Sequence, residues 1–259
     1  MLLLLYTTCQ GEFIYNNWLK NHSFLKDYEY KHFPNYVNKD AIYNTNEIRE
    51  CDIFIYQPTE KYTTGEKNIL QLLKPSCIKI CIPYMYLELW PFYEEDGKYV
   101  GGDIIQKYIE NGYNLNDILN QYDNGLLKFD LEYRLKQSIE YLKYKEAKYC
   151  DIKVSDFINS HYKDYRLFNT QNHITGIIGA YLANEIFIFL NIEPLDIDIF
   201  TQGYISIGNK WEDSYYMKSE LGLKFPQINE GYNYYRDLII QLYNDPLKIK
   251  IKGNYNYNY

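Results

Sequence analysis

The chain has 259 residues, a formal net charge of -7 and a pI of about 5.2. That balance argues against nonspecific nucleic-acid binding and against attraction to anionic membranes. A 46% hydrophobic content supports a sizeable core, and 24% charged residues is ordinary for a soluble globular protein of one large domain or two small ones.

The first apolar run, Leu2 to Thr8, reads as a buried strand of a parallel sheet. It leads directly into Cys9-Gln10-Gly11 and a predicted helix from Gln10 to Asn21, with Phe13, Ile14 and Trp18 at helical spacing. The carboxyl end of a first strand, next to a helix start, is where open α/β sheets place ligands. A thiol there meets the positive end of the helix dipole and free N–H groups, so Cys9 is a candidate nucleophile. Gly11 allows close backbone approach to a ligand.

Tyr28 to Phe33 alternates and is predicted as a second strand, and Asp52 to Tyr56 as a third, ending in Gln57-Pro58. A helix is expected over Thr64 to Leu73, then a buried strand from Cys77 to Ile82 closed by Pro83. Strands alternating with helices imply parallel crossovers. Tyr84 to Gly102 reads as a long aromatic loop over the strand ends. Helices are expected at Asp103–Asn111, Leu115–Gln121, Asp130–Lys148 with many i,i+4 charge pairs, and Val154–His161 with Ser155 as a cap. An extended Arg166–Asn172 would deliver His173 to the start of an apolar helix, Ile174 to Leu190, stopped by Pro194. A last helix spans about Tyr232 to Tyr243, and the Lys252-to-Tyr259 tail carries no core pattern.

The fold class is therefore α/β: a small parallel sheet flanked by helices, with additional helices as a cap. One domain over 1–259 is expected, its core at 1–83 and 166–192, a loop and helical insertion at 84–165, and a frayed tail at 250–259. Five cysteines without a C-x-x-C pair suit a reducing compartment, and the expected location is cytoplasmic. Met1–Leu5 is too short for a signal-peptide core, and no run reaches membrane-spanning length. The 32 tyrosines, with abundant Asn, Ile and Lys, fit an A/T-rich genome such as that of a giant DNA virus. On that reading the cytoplasm would be the host's, or a virus factory. A tyrosine platform for sugars or bases is the sharper alternative.

His173 stands apart from His22, His32 and His161, which lie in polar, surface-like contexts. Near a helix amino terminus it would be kept neutral, as a base requires. Cys9 and His173 form the one Cys–His couple with both members at element ends. The backbone N–H groups of Gln10 and Gly11, and Gln57, are candidate oxyanion donors. Lys61 and Lys67 are placed to meet phosphates of an anionic cofactor. The Glu94-Glu95-Asp96 run reads as solvated. Phosphate-loop, dinucleotide and metal-binding spacings do not occur, so no metal is expected.

Together, Cys9-Gln10-Gly11, Asp52 to Pro58, Ile82-Pro83 with Trp90-Pro91, and His173 with its helix resemble the WcbI family, spread over about the first 190 residues. The family often has Asn where this chain has Thr8, and Pro where it has Ile174. The resemblance implies a polysaccharide-biosynthesis acetyltransferase using acetyl-CoA (coenzyme A), with Cys9 and His173 catalytic and Trp90 among the substrate-binding residues. It also implies a nucleotide-sugar or glycan acceptor, with a viral aminosugar N-acetyltransferase branch as the most similar case. No nucleic-acid partner and no membrane insertion are expected, and homo-oligomerisation is left open. Alternatives are an esterase or deacetylase resembling the SGNH hydrolases, and a non-catalytic glycan-binding virion protein.

Overall fold

The structure is a computed structural model describing residues 1–37, 40–207, 213–225 and 232–250. Four strands, β1 (Leu2–Thr7), β2 (Glu29–Pro34), β3 (Ile53–Tyr56) and β4 (Ile78–Cys81), form one parallel sheet in the order β2-β1-β3-β4. Leu3 pairs with Tyr30 on one side and Ile53 on the other, and Ile53 pairs in turn with Ile78. The chain leaves β1 to one side for β2, then crosses to the other side for β3. The topological switch point thus lies between β1 and β3, beside Cys9 and Gln57.

The period of two along each strand divides the core. Leu3, Leu5, Ile53, Ile55 and Ile80 face α1 (Cys9–Asn17) and α7 (Gly176–Phe189). Leu4, Tyr6 and Phe54 face a smaller layer built by Ile42, Tyr62, Ile69, and Ile48 of the short helix α2 (Glu47–Glu50). Helix α7 is apolar nearly all round because it is enclosed. A Cβ on Gly179 would come within 2.4 Å of the Trp18 indole, so that glycine is what lets the residues after α1 seat against α7.

Beyond β4 the chain runs irregularly to a hairpin, β5 (Tyr93–Glu95) and β6 (Lys98–Val100). Helices α3 (Asp103–Glu110), α4 (Leu115–Asp123), α5 (Leu131–Tyr149), α6 (Ser155–His161), α8 (Tyr215–Leu221) and α9 (Tyr232–Asn244) complete the molecule. The start of α5 is capped from a distance: Glu220 of α8 accepts the Phe129 and Leu131 N–H groups, both at 2.9 Å. The ion pairs of α5 run outward, Lys143 to Asp156 and Arg134 to Glu88, not along the helix as expected. No helix among the described residues is long and apolar enough to cross a membrane.

Several expectations change. The first helix ends at Asn17 and continues as a separate 3-10 turn, Leu19–Asn21. The helix expected over 64–73 does not form. A π turn at Glu60–Thr64 stops at an extended Gly65, and Asn68 caps a 3-10 turn at Ile69–Leu72. Thr63 Oγ1 accepts from Thr59 N and donates to Thr59 O, diverting backbone groups from a longer helix. Ser155 is not a cap; its N–H and hydroxyl both bond the buried Glu146 carboxylate, which joins α5 to α6. The acidic run is exposed at Glu94 and Asp96, as expected, and Glu95 and Asp96 also pair with Lys250. Lys250 aside, the expected frayed tail lies outside the described residues.

Candidate active site

Thr8 starts the site. Its hydroxyl caps α1 through Gln10 N (3.3 Å), so the helix begins at Cys9. Gly11 presses on the end of β1, where a Cβ would lie 2.2 Å from Thr7 Oγ1. The glycine thus serves the packing of α1 on the end of β1, whereas the sequence reading has it admit a ligand.

Two glutamines hold the sheet ends together. Gln57 Oε1 accepts from Thr8 N (2.7 Å), and its amide donates to Gln10 Oε1 (2.9 Å) and Pro83 O (3.1 Å). Gln10 donates to Met85 O (2.7 Å) and Asn172 O (2.6 Å), and its oxygen accepts from Met85 N (3.2 Å). Both side chains are 0% exposed. Every amide hydrogen of the pair is therefore spent inside the protein. The Gln57 side chain is thus not free to serve as the oxyanion donor expected from sequence; the two glutamines form a girder linking β1, β3, the segment after β4 and the His173 loop. Gly11 N–H is likewise committed, donating to Thr8 O at 3.1 Å. Backbone donation to a reacting atom falls to the N–H groups of Cys9 and Gln10, which bear on the Cys9 sulfur, that of Gln10 being shared with Thr8 Oγ1.

His173 does not open the helix. Phe168 and Ile174 bridge, Asn169 N donates to His173 O (2.8 Å), and α7 starts three residues later behind Thr175. His173 therefore closes a tight turn, which the Gln10–Asn172 bond fixes to the start of α1. Its Nδ1 is buried and has no hydrogen-bond partner among the described residues, and no carboxylate pairs with it there. Burial, not a helix dipole, pushes its pKa below the usual histidine value. Cys9 moves the other way. Burial raises its pKa and the Glu12 carboxylate adds to the rise, outweighing the two backbone N–H groups. The expected ready thiolate is thus a neutral thiol, and burial likewise keeps the His173 imidazole neutral.

Over the carboxyl ends of the strands lies a cavity of about 830 Å³. Thr8, Tyr36, Gln57, Pro83 and Tyr84 come from the segments after β1, β2, β3 and β4, and Leu142, Lys145 and Cys150 from α5 and its end. Tyr84 lies in the field of Cys9 and accepts from Asn172 Nδ2 (3.3 Å), so the Cys9 and His173 elements meet at the cavity edge.

Of the predicted cofactor lysines, Lys61 lines this cavity, while Lys67 is held by Asp40 at 2.8 Å. Lys145, which sequence reasoning missed, takes the second place; burial lowers its pKa. An amphipathic helix far along the chain gives no local sign that one of its lysines faces a strand end. Trp90 does not reach the cavity. It is 1% exposed, and its carbonyl accepts from Arg134 Nη2 (3.0 Å), so it belongs to the core. His32 is also not solvated: its Nε2 lies 3.1 Å from Thr7 O and its Nδ1 3.6 Å from Glu12. Tyr36, Tyr84 and Asn35 could have been found from the rule that pointed to Cys9, since each follows a strand end.

Among solved structures, one described as WcbI, a novel polysaccharide biosynthesis enzyme, aligns with a TM-score of 0.68 at 19% identity, covering 94% of this chain and 89% of that one. That structure is of native protein without a disulfide bond between CoA and a cysteine. Its likeness establishes the fold. No curated protein matches the chain. Residues 2–195, which carry the sheet, the glutamine girder, Cys9 and His173, match the family described as polysaccharide biosynthesis enzyme WcbI, and the chain belongs to that family.

Proposed function

We propose that the protein transfers an acetyl group from acetyl-CoA to an amine or hydroxyl of a sugar, nucleotide-linked, in surface-glycan synthesis. The observation that carries this reading is the cavity at the switch point, lined by Thr8 and Tyr84, with Cys9 next in chain after Thr8 and the His173 turn tied to the start of α1 through Gln10 and Asn172. Its volume lies within the range of small-molecule and cofactor sites. Lys61 and Lys145 offer cations to phosphates, and Tyr36, Tyr62 and Tyr84 offer flat apolar walls. The CoA named with the solved relative supports the donor. No group of three or more potential metal ligands occurs among the described residues.

Two routes fit the residues. In the direct route neutral His173 takes the proton of the acceptor as its nitrogen or oxygen bonds to the acetyl carbon. The C–S bond breaks, the departing sulfur is protonated, and Cys9 lies beside the donor. In the covalent route His173 first takes the Cys9 proton, the Cys9 sulfur bonds the acetyl carbon as the CoA C–S bond breaks, and His173 passes its proton to the departing CoA sulfur; the acceptor then displaces the Cys9 sulfur with His173 again as base, the proton returning to Cys9. Both need an unprotonated imidazole, which burial provides. Either way the Cys9 and Gln10 N–H groups would face the developing oxyanion.

The test is mass spectrometry of the purified protein incubated with acetyl-CoA and a panel of nucleotide aminosugars. An acceptor 42 Da heavier, as about one acetyl replaces one hydrogen, supports transfer. Hydrolysis of acetyl-CoA with no acetylated sugar would instead favour the esterase reading, and no binding of CoA the glycan-binding one.

A further inference from the structure

A second cluster lies beside Cys9. Glu12 lies one turn along α1 from Cys9, a spacing that makes the two neighbours on the helix surface. Its side chain is half exposed, at 49%, with Oε2 3.6 Å from His32 Nδ1. The His32 side chain is only 9% exposed, and its Nε2 sits 3.1 Å from Thr7 O and 3.3 Å from Thr7 Oγ1, at the end of β1. One ring thus joins the strand that delivers Cys9 to the carboxylate beside it. Tyr36, a cavity-lining residue, lies in the fields of both Cys9 and Glu12.

This arrangement is costly for a nucleophile, because a carboxylate beside Cys9 opposes its ionisation. It is useful if the charge acts on something else. A half-exposed carboxylate beside Cys9, held by an imidazole, is suited to receive a positively charged group.

We propose that Glu12, positioned by His32, binds the ammonium of the acceptor and so makes the site select amino sugars over hydroxyl acceptors. This rests on the acetyl-transfer reading above. Glu12 holds the –NH3+ form by a charge-assisted hydrogen bond. One proton passes from that ammonium to the neutral His173 and on to water. The freed amine then attacks the acetyl carbon, the C–S bond breaks, and the second proton lost by nitrogen goes to the departing CoA sulfur, while Glu12 stays ionised throughout. A hydroxyl acceptor offers no positive charge to this carboxylate and gains less from it.

The experiment is steady-state kinetics of acetyl transfer to a 4-amino sugar nucleotide and to its 4-hydroxy counterpart, with Glu12→Gln, His32→Ala and His32→Asn. CoA affinity is measured on each by calorimetry. Glu12→Gln should raise the KM for the amine by about 10–100-fold, the range for a lost charge-assisted bond. CoA affinity and the hydroxyl KM should remain as in the wild type. His32→Ala should shift the amine KM in the same direction, and His32→Asn should restore part of it; a merely structural role for His32 would lower kcat for both acceptors together. An unchanged amine KM in Glu12→Gln, or a wild type that prefers the hydroxyl, overturns the proposal while leaving acetyl transfer standing. A wild type that binds CoA yet acetylates neither acceptor removes the transfer reading, and this assignment with it.

Discussion

Gln10→Leu separates a girder from a catalytic donor. The replacement has a similar volume and no polar atoms. It strands two buried N–H donors, those of Met85 and of the Gln57 amide, and deprives the Met85 and Asn172 carbonyls of their partner. Each unsatisfied buried group costs about 1–3 kcal/mol, part of which local relaxation recovers. A net loss of about 3–5 kcal/mol is expected, at the upper end for single substitutions. In a chain of this size that corresponds to a fall in Tm of about 6–20 °C. Urea unfolding with an unchanged m-value, or calorimetry, measures it. Gln57→Leu should cost a similar amount, and the double variant less than the sum, because the two amides share a hydrogen bond. Turnover should fall as the His173 turn loses its tie to α1. The reasoning is refuted if Gln10→Leu unfolds within about 1 kcal/mol of wild type while turnover collapses, since the amide would then be acting on the reacting atoms.

His173→Ala should lower acetyl transfer by about 10²–10⁴-fold with CoA affinity nearly intact, and His22→Ala should be close to neutral in the same assay. Since burial lowers the His173 pKa from 6.5, the acidic limb of the rate profile should lie below pH 6.5. The sign for stability follows from the same shift. On acidification the unfolded chain takes up this proton near 6.5 before the folded chain does, so stability is lost below that pH, and His173→Ala should lose less over the same window in pH-dependent urea unfolding. Cys9 should react with iodoacetamide more slowly than a free thiol at pH 7 and faster as pH rises past 9, with CoA protecting it; rapid labelling at pH 7 would contradict the burial argument. Gly11→Ala should cost about 1–3 kcal/mol by overpacking against Thr7, and a neutral result in thermal unfolding would mean that the strand-to-helix turn is looser than it is drawn.

The two central strands were legible in the sequence because each buries both faces, leaving the continuous runs Leu2–Tyr6 and Ile53–Tyr56, which suit a parallel sheet with intervening helices. Cys9 was legible for the same reason: the end of the first run must lie at a strand end, and Gly11 marks the tight turn that follows. His173 was legible as a residue of interest but not as to its setting. A turn closed by the Asn169–His173 bond depends on groups that also bond to Leu87 and Gln10, far away in sequence. Tertiary structure alone decided what the polar residues at the strand ends do. A glutamine after a strand reads equally well as an oxyanion donor or a brace, and only the positions of Pro83, Met85 and Asn172 show that both amides are spent on bracing. Lys145 against Lys67, Trp90 in the core, and His32 against Glu12 were settled the same way. Periodicity reports which face of an element is buried, whereas a side chain's partner is set by which distant segment packs there, and that depends on the whole fold.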